Sequence, residues 1–263
     1  MDMIEKYELY REASELLEKH STREASKISG IPRTTLQRRA QSFKQLEKVE
    51  RDLLTRAPVS EMPLPPEGKR RAYIITSAQN DTDIHKETWK NLKAYRDYMQ
   101  RMDRWSHCEI MVVPFTYRTV ATKDGDPGLW RKAVVPYFVT NRVKLAPGLE
   151  LCGEIQISPT ANRPLSGFDN YTHDSSSIIP HTTFSVKSVP TMKHDPVKFM
   201  YTTGAITVPQ YLQQKAGQKA EFHHSIGALL VEVDDEGDWF VYQLKAGDDG
   251  TCLLYTSPSP RDS

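Results

Sequence analysis

The sequence has little cysteine, no long apolar run and almost no excess of charge of either sign. Its 263 residues hold three cysteines, Cys108, Cys152 and Cys252, whose spacing fits neither a disulfide framework nor a zinc motif. No segment approaches the roughly 20 apolar residues that cross a bilayer, and the N-terminus lacks both parts of a signal peptide. We therefore expect a cytoplasmic protein in a reducing environment, with no membrane partner.

Overall charge and signature motifs are equally uninformative about function. The net charge is +1, so the whole-chain field gives no indication about nucleic acid. The sequence contains no P-loop, no H-E-x-x-H and no paired C-x-x-C. Hydrophobic residues make up 38% of the chain, which is sufficient for a core. Any binding or catalytic function must therefore rest on local clusters of residues.

Residues 1–56 are predicted to form a module of three helices. Apolar residues recur at helical spacing from Tyr7 to Lys19. A second helix begins with a capping box, Ser21-Thr-Arg-Glu24, and stops at Gly30, after which a third begins near Arg33. Two short helices joined at a glycine are typical of a helix-turn-helix, because the steep crossing needs a residue that tolerates positive φ.

Local charge assigns a face to this module. No acidic residue occurs between Ala25 and Leu46. A recognition helix lays its N-terminal residues against base edges, where arginine pairs with guanine and glutamine with adenine. We expect the first turns of the third helix to contact bases and its later cations to contact phosphates. The residues predicted to bind double-stranded DNA are Lys27, Arg33, Thr34, Gln37, Arg38, Arg39 and Lys44.

The run Gly30 to Arg39, Gly-Ile-Pro-Arg-Thr-Thr-Leu-Gln-Arg-Arg, resembles the helix-turn-helix of phage and bacterial site-specific DNA-binding proteins. That resemblance implies recognition of duplex DNA. One alternative is a helical hairpin for protein association, with the basic face simply solvated. A further alternative concerns Leu46, Val49 and Leu53, which could pack on the module or support a homodimer.

After a proline-rich linker at 57–71, residues 72–251 are predicted to form a mixed α/β domain, so that the whole chain is of the α+β or α/β class. The domain starts with a strand at 73–77, a helix at 83–102 and a strand at 108–115, which predicts a βαβ unit with a parallel pair. Its second half is β-rich around a long loop at 158–181. The later strands are predicted near 137–139, 149–157, 183–186, 198–208, 228–233 and 239–244, the last two forming a hairpin.

Two interpretations of this domain stay open. One is a metal-dependent nuclease or phosphoesterase using Mg²⁺ or Mn²⁺, since carboxylates and histidines cluster in loops and at strand ends. The other is a non-catalytic interaction domain whose loops, such as 163–169 and 201–205, form a binding surface. The candidate catalytic or metal-binding residues are Glu154, Asp169, His173, Glu221, His223 and His224, with Asp81, Asp83, His85 and Asp174 as further polar groups of the same kind. Among adjacent strand residues such as His223 and His224, only one could face a given site.

Several short segments resemble proteins of tailed phages. They are 73–79 (Tyr-Ile-Ile-Thr-Ser-Ala-Gln), Cys152-Gly-Glu154, 163–168, 201–204 and 216–224. The resemblance implies a phage-encoded protein of the host cytoplasm, in which this region precedes a further domain, phosphoesterase-like in character. It implies no mechanism for the segments themselves.

The last twelve residues differ in character from the rest. The run from Cys252 to Asp262 resembles, residue for residue, a translated sequencing-library adapter. Its proline and serine content also predicts neither strand nor helix. We therefore expect 252–263 to be an artefactual tail on a metagenomic fragment, with the α/β domain truncated and the natural chain continuing past Thr251.

Overall fold

The computed structural model describes residues 3–45, 61–117, 130–247 and 252–254. Residues 3–45 form three helices, which we call the three-helix module. The other described residues form two five-stranded sheets with two further α-helices, here called the two-sheet region. The predicted α+β class is confirmed. None of the described helices has the length and apolar character that crossing a bilayer requires.

The three-helix module consists of α1 (Met3–Lys19), α2 (Thr22–Ser29) and α3 (Arg33–Gln45). Its centre is formed by Ala13, Ala25 and Leu36, each at most 2% exposed. Two of these residues are alanines, so the helices approach closely and Leu36 fills the space between them. The helices lie at the three positions that apolar spacing and the capping box predict.

The first sheet contains the predicted βαβ unit. Strands β1 (Arg70–Gln79) and β2 (Trp105–Phe115) are parallel and are joined by helix α4 (Lys86–Gln100), which packs on one face of the sheet. The predicted C-terminal hairpin is also present. Its strands, β8 (Gly227–Asp234) and β9 (Trp239–Ala246), complete a sheet of order β10-β9-β8-β1-β2, where β10 is Cys252–Leu254.

The second sheet has the order β3-β4-β5-β7-β6. Its strands are β3 (Arg142–Ala146), β4 (Leu149–Cys152), β5 (Ser176–Ile179), β6 (Val186–Val189) and β7 (Lys198–Thr202). A 3₁₀ helix, Val135–Tyr137, precedes it, and helix α5 (Lys215–His223) follows it. Parallel and antiparallel pairs occur together, since β4, β5 and β7 are mutually parallel while the outer pairs are antiparallel.

Alternating side chains of β1 fill two cores. Ile74 faces the core under α4, whereas Tyr73 and Ile75 face the core between the two sheets. A third, smaller core lies around Cys152, Ile179 and Leu165, where the irregular segment after β4 covers the second sheet. Strand β1 is therefore covered on both faces of the first sheet, which explains its uninterrupted burial from Ala72 to Gln79.

Several predicted elements differ from those observed. Residues 135–137 are a 3₁₀ helix because Pro136 cannot donate to a sheet ladder, although Phe138 makes one bridge to Val112. The predicted strands at 149–157, 183–186 and 198–208 are shorter or shifted, and β3 and β5 were not predicted. Strand β5 lies within the expected long loop.

The second half of the predicted linker lies on the two-sheet region. The Met62 N–H donates to the Lys144 carbonyl at 2.9 Å, and the Gly68 N–H donates to Asp235 Oδ2 at 2.7 Å. At the other end, Cys252–Leu254 pairs with β9, although no strand was expected there. An edge strand requires only backbone N–H and C=O groups, so poor strand propensity does not prevent this pairing.

Candidate functional site

The capping box predicted at the start of α2 is present in full. The Ser21 hydroxyl accepts a hydrogen bond from the Glu24 N–H at 3.4 Å, and the Ser21 N–H donates to Glu24 Oε2 at 3.1 Å. The Ser21 hydroxyl also donates to that carboxylate, and these hydrogen bonds lower the pKa of Glu24. The Glu24 carboxylate is thus held at the start of α2.

Gly30 makes the turn between α2 and α3. Its φ of 69° and ψ of 4° lie in the left-handed region, and its N–H donates to the Ser26 carbonyl at 3.1 Å. A Cβ at Gly30 would meet nothing within 4 Å, so backbone conformation rather than space favours glycine here. The Ser26 hydroxyl secures the turn by donating to the Ile31 carbonyl at 2.7 Å.

Helix α3 has one buried face and one outward face. Leu36 and Ala40 are buried against the module, which turns Thr34 and Gln37 outward and leaves them exposed. Arg33 and Lys27 are also exposed, whereas Arg38 and Arg39 are half-buried. The Nε of Arg38 is covered and has no hydrogen-bond partner among the described residues. The side chain of Lys44, also predicted to bind DNA, lies outside the described part of the structure.

The positive charge of α3 is not neutralised within the described module. The ion pair found there joins Arg11 and Glu15 on α1 at 3.7 Å. Among the ion pairs between described residues, none involves Lys27, Arg33 or Arg38. Lys27 and Arg33, which are also exposed, therefore remain available to a negatively charged partner.

In the two-sheet region, His224 is a structural histidine with both ring nitrogens occupied. Its Nε2 donates to the Thr207 carbonyl and its Nδ1 accepts from the Tyr211 hydroxyl, both at 2.7 Å. The carbonyl can only accept, which assigns the proton to Nε2. Burial lowers the pKa of His224 to about 4. A metal could bind this imidazole only after one of these hydrogen bonds breaks.

His181, which sequence reasoning missed, has the same character. Its Nδ1 accepts from the Thr183 N–H at 3.1 Å, and its Nε2 donates to the Ser158 carbonyl at 3.3 Å. Burial lowers the pKa of His181 to about 4, and the nearby His224 contributes in the same direction. The signal that could have indicated this region is a set of buried polar residues at the end of β1, such as Ser77 and Gln79, which hydrogen-bond to residues 204–210.

The predicted carboxylates hold irregular segments in place. Glu154 accepts from Arg142 Nε at 2.8 Å and from the Tyr171 hydroxyl at 3.0 Å, and Arg142 also lies over the Tyr171 ring. Asp169 pairs with Lys187. These contacts hold in place the irregular segment after β4 that covers the third core.

The other candidates are dispersed. Lys198, which is buried, donates to the carbonyl of His173, a residue in the left-handed conformation with φ of 48°. Glu221 and His223 are exposed on α5, where Glu221 contacts Gln213. The remaining polar groups are also separate: Asp83 pairs with Arg131, His85 caps α4, Asp81 has φ of 58°, and Asp174 is exposed.

Across the described residues, no three His, Cys, Asp or Glu side chains form a group that could hold a metal ion. The predicted Mg²⁺ or Mn²⁺ site therefore has no ligand set in this part of the chain. Cys108 and Cys152 offer none either, because burial raises the pKa of each thiol to about 12.

Comparison with known proteins identifies a phage relative. The chain is 34% identical over 190 residues to Protein A1 of Escherichia phage T5, a match that covers 70% of this chain. It spans about a third of that protein, 33% of its length. This similarity supports the phage origin that the sequence predicts.

No protein family model matches the chain. Among solved structures, it is similar to Vps29 of Chaetomium thermophilum, with 14% identity, 70% coverage of this chain and 94% of that one. The TM-score of 0.30 does not establish a shared fold.

Proposed function

We propose that the protein binds double-stranded DNA through α3 of the three-helix module. The observation that carries this proposal is an outward helix face whose exposed cations, Lys27 and Arg33, have no carboxylate partner among the described residues. Duplex DNA supplies the complementary charge, and its major groove admits an α-helix. A face used for protein association would instead be expected to present apolar anchors, whereas the exposed residues here are Arg33, Thr34 and Gln37.

Within this proposal the residues divide into two roles. Arg33, Thr34, Gln37 and Arg38 contact base edges from the first turns of α3. Arg33 and Arg38 are the candidates for guanine, because an arginine guanidinium can donate two hydrogen bonds to the O6 and N7 atoms of that base. Phosphate contacts come from Arg39, Lys44 and Lys27, which set affinity more than sequence preference.

The test begins with selection of a preferred duplex from a randomised pool, using the full chain. Binding to that duplex is then measured by fluorescence anisotropy at two salt concentrations. We expect Arg38→Ala to lose about 1–3 kcal/mol and to relax preference at one base pair. Each phosphate contact removed, as in Arg39→Ala, should reduce the salt slope by about 0.9.

A matched control removes equal charge from the two-sheet region. Arg101 and Arg163 are both exposed there, so the double substitution Arg101→Ala and Arg163→Ala preserves the module. We expect this control to bind like the wild type. The proposal is wrong if Arg33→Ala combined with Arg38→Ala leaves both affinity and salt slope unchanged.

Metal-dependent cleavage of DNA, the alternative from the sequence, has no comparable support because the described residues offer no ligand group. Plasmid incubated with Mn²⁺ or Mg²⁺, with and without a chelator, tests it directly. Chelator-sensitive cleavage that is lost in Glu154→Gln or His223→Gln would favour the alternative.

A further inference from the structure

Helix α5 presents an aromatic side chain almost entirely to solvent. Phe222 is 85% exposed, more than any other large hydrophobic residue of the described chain. Its ring stands edge-on to that of His223, with centroids 5.2 Å apart and an angle of 81° between planes. This aromatic pair forms the end of the last turn of α5, a few residues before β8 begins in the chain.

Two lysines share the helix face with Phe222. Successive residues advance by about 100° around a helix, so Lys215, Lys219 and Phe222 lie within about 60° of one another. Both lysines are exposed. Glu221 lies about 200° from Lys219 around the helix and contacts Gln213 instead. The outward face is therefore basic and aromatic without an acidic member.

The opposite face fixes the orientation of α5. Gly217 and Ala220 are buried, and a Cβ at Gly217 would stand 1.9 Å from the Leu212 carbonyl oxygen. The helix is thus pressed against the preceding segment at a point where only glycine fits. This contact leaves α5 little freedom to rotate Phe222 inward.

We propose that this face, Lys215, Lys219 and Phe222, binds unpaired nucleotides of single-stranded DNA. An exposed ring stacks on a base of any sequence, and lysines at the next turns neutralise the adjoining phosphates. The positive charge of the two lysines favours a polyanion. The exposed ring of Phe222 favours an unpaired base, because stacking on a side chain requires a base face that is not covered by a neighbouring base pair. This site is distinct from α3 and takes a different form of nucleic acid.

The experiment uses the full chain with a short fluorescent oligothymidylate and, in parallel, a duplex. Phe222→Ala should weaken oligothymidylate binding by about tenfold, or about 1.4 kcal/mol, and leave duplex binding unchanged. Phe222→Trp should retain binding and lose indole emission as the oligonucleotide is added. Lys215→Gln with Lys219→Gln should reduce the single-strand salt slope by about 1.4.

Controls of similar exposure lie elsewhere in the two-sheet region. Tyr98 on α4 is 59% exposed and Lys193 is also exposed, so Tyr98→Ala and Lys193→Gln should leave oligothymidylate binding unchanged. Unchanged binding by Phe222→Ala would overturn the proposal. So would a change from dimer to monomer in Phe222→Ala at equal oligothymidylate affinity, since the face would then contact a second copy.

This test separates the two proposed sites. Arg33→Ala with Arg38→Ala is expected to weaken duplex binding and to retain oligothymidylate binding. If the α3 substitutions leave duplex binding unchanged, the effect of Phe222→Ala on oligothymidylate binding still tests the α5 site. If Phe222→Ala has no effect, the proposed role of α3 in duplex binding is unaffected.

Discussion

Acidification should destabilise the two-sheet region at pH values where most proteins keep their stability, because His181 and His224 are held neutral inside it. The pKa of each falls from 6.5 to about 4 on folding. The unfolded chain therefore binds more protons than the folded chain between these two values. Stability is fully present above about pH 6.5, declines as the pH falls through this window and levels off below about pH 4.

The size of the effect follows from the two pKa values. For one imidazole, linkage gives a loss of about 2 kcal/mol between pH 7 and about pH 5. The two sites together give about 4 kcal/mol, a large part of the stability of an ordinary domain. Carboxylates contribute little in this window, because their ordinary pKa values lie near 4.

Urea unfolding followed by tryptophan fluorescence measures this quantity. Trp89, Trp105, Trp130 and Trp239 all lie outside the three-helix module, so the signal reports the two-sheet region alone. His224→Gln should be less stable than the wild type at pH 7, and the difference should shrink by about 2 kcal/mol at pH 5.

The neighbouring His223 provides a matched control, since it is exposed and its replacement by Gln should leave the pH dependence unchanged. A wild-type stability that is the same at both pH values would refute the reasoning. Equal pH dependence in the wild type and His224→Gln would show that another group is responsible.

Three further substitutions test the packing beneath the proposed sites. Leu36→Ala should cost the three-helix module about 2–5 kcal/mol and abolish duplex binding without removing a cation, as measured by hydrogen exchange of α3 and anisotropy. Gly30→Ala should cost about 1–2 kcal/mol through backbone strain, visible as faster exchange in α2; an unchanged rate would contradict the left-handed turn. Gly217→Ala should cost about 1–3 kcal/mol in urea unfolding and weaken oligothymidylate binding by displacing Phe222, whereas wild-type values in both assays would contradict the close contact with Leu212.

Elements defined by neighbouring residues were predictable from the sequence. The capping box at Ser21, the glycine turn at Gly30 and the apolar spacing around Leu36 are local signals, and each has its counterpart in the structure. The same holds for the βαβ unit and the C-terminal hairpin, whose strands are long and bounded by turn residues.

Strand β5 could not be predicted from local sequence signals. Ser176 and Ser177 have weak strand preference and follow a long polar segment, so the sequence predicts a loop. Their strand is determined by parallel partners far away in the chain, β4 on one side and β7 on the other. Likewise, burial lowers the pKa of His181, and this burial arises only when segments distant in the chain, such as the one around Ser158, pack against the side chain.

The dispersal of the predicted metal ligands has a physical origin in the irregular segments of the two-sheet region. Buried backbone and side-chain polar groups need partners, and long non-helical segments cannot supply all of them from their own backbone. Here Glu154 holds Arg142 and Tyr171, Lys198 holds loop carbonyls and His224 holds Thr207 and Tyr211. A sequence rich in such residues near strand ends is therefore compatible with two alternatives. The residues can form a metal centre, or they can hold loops in place through hydrogen bonds and ion pairs. The decisive property is whether donor atoms converge with a free lone pair, and in His224 both ring nitrogens are already engaged.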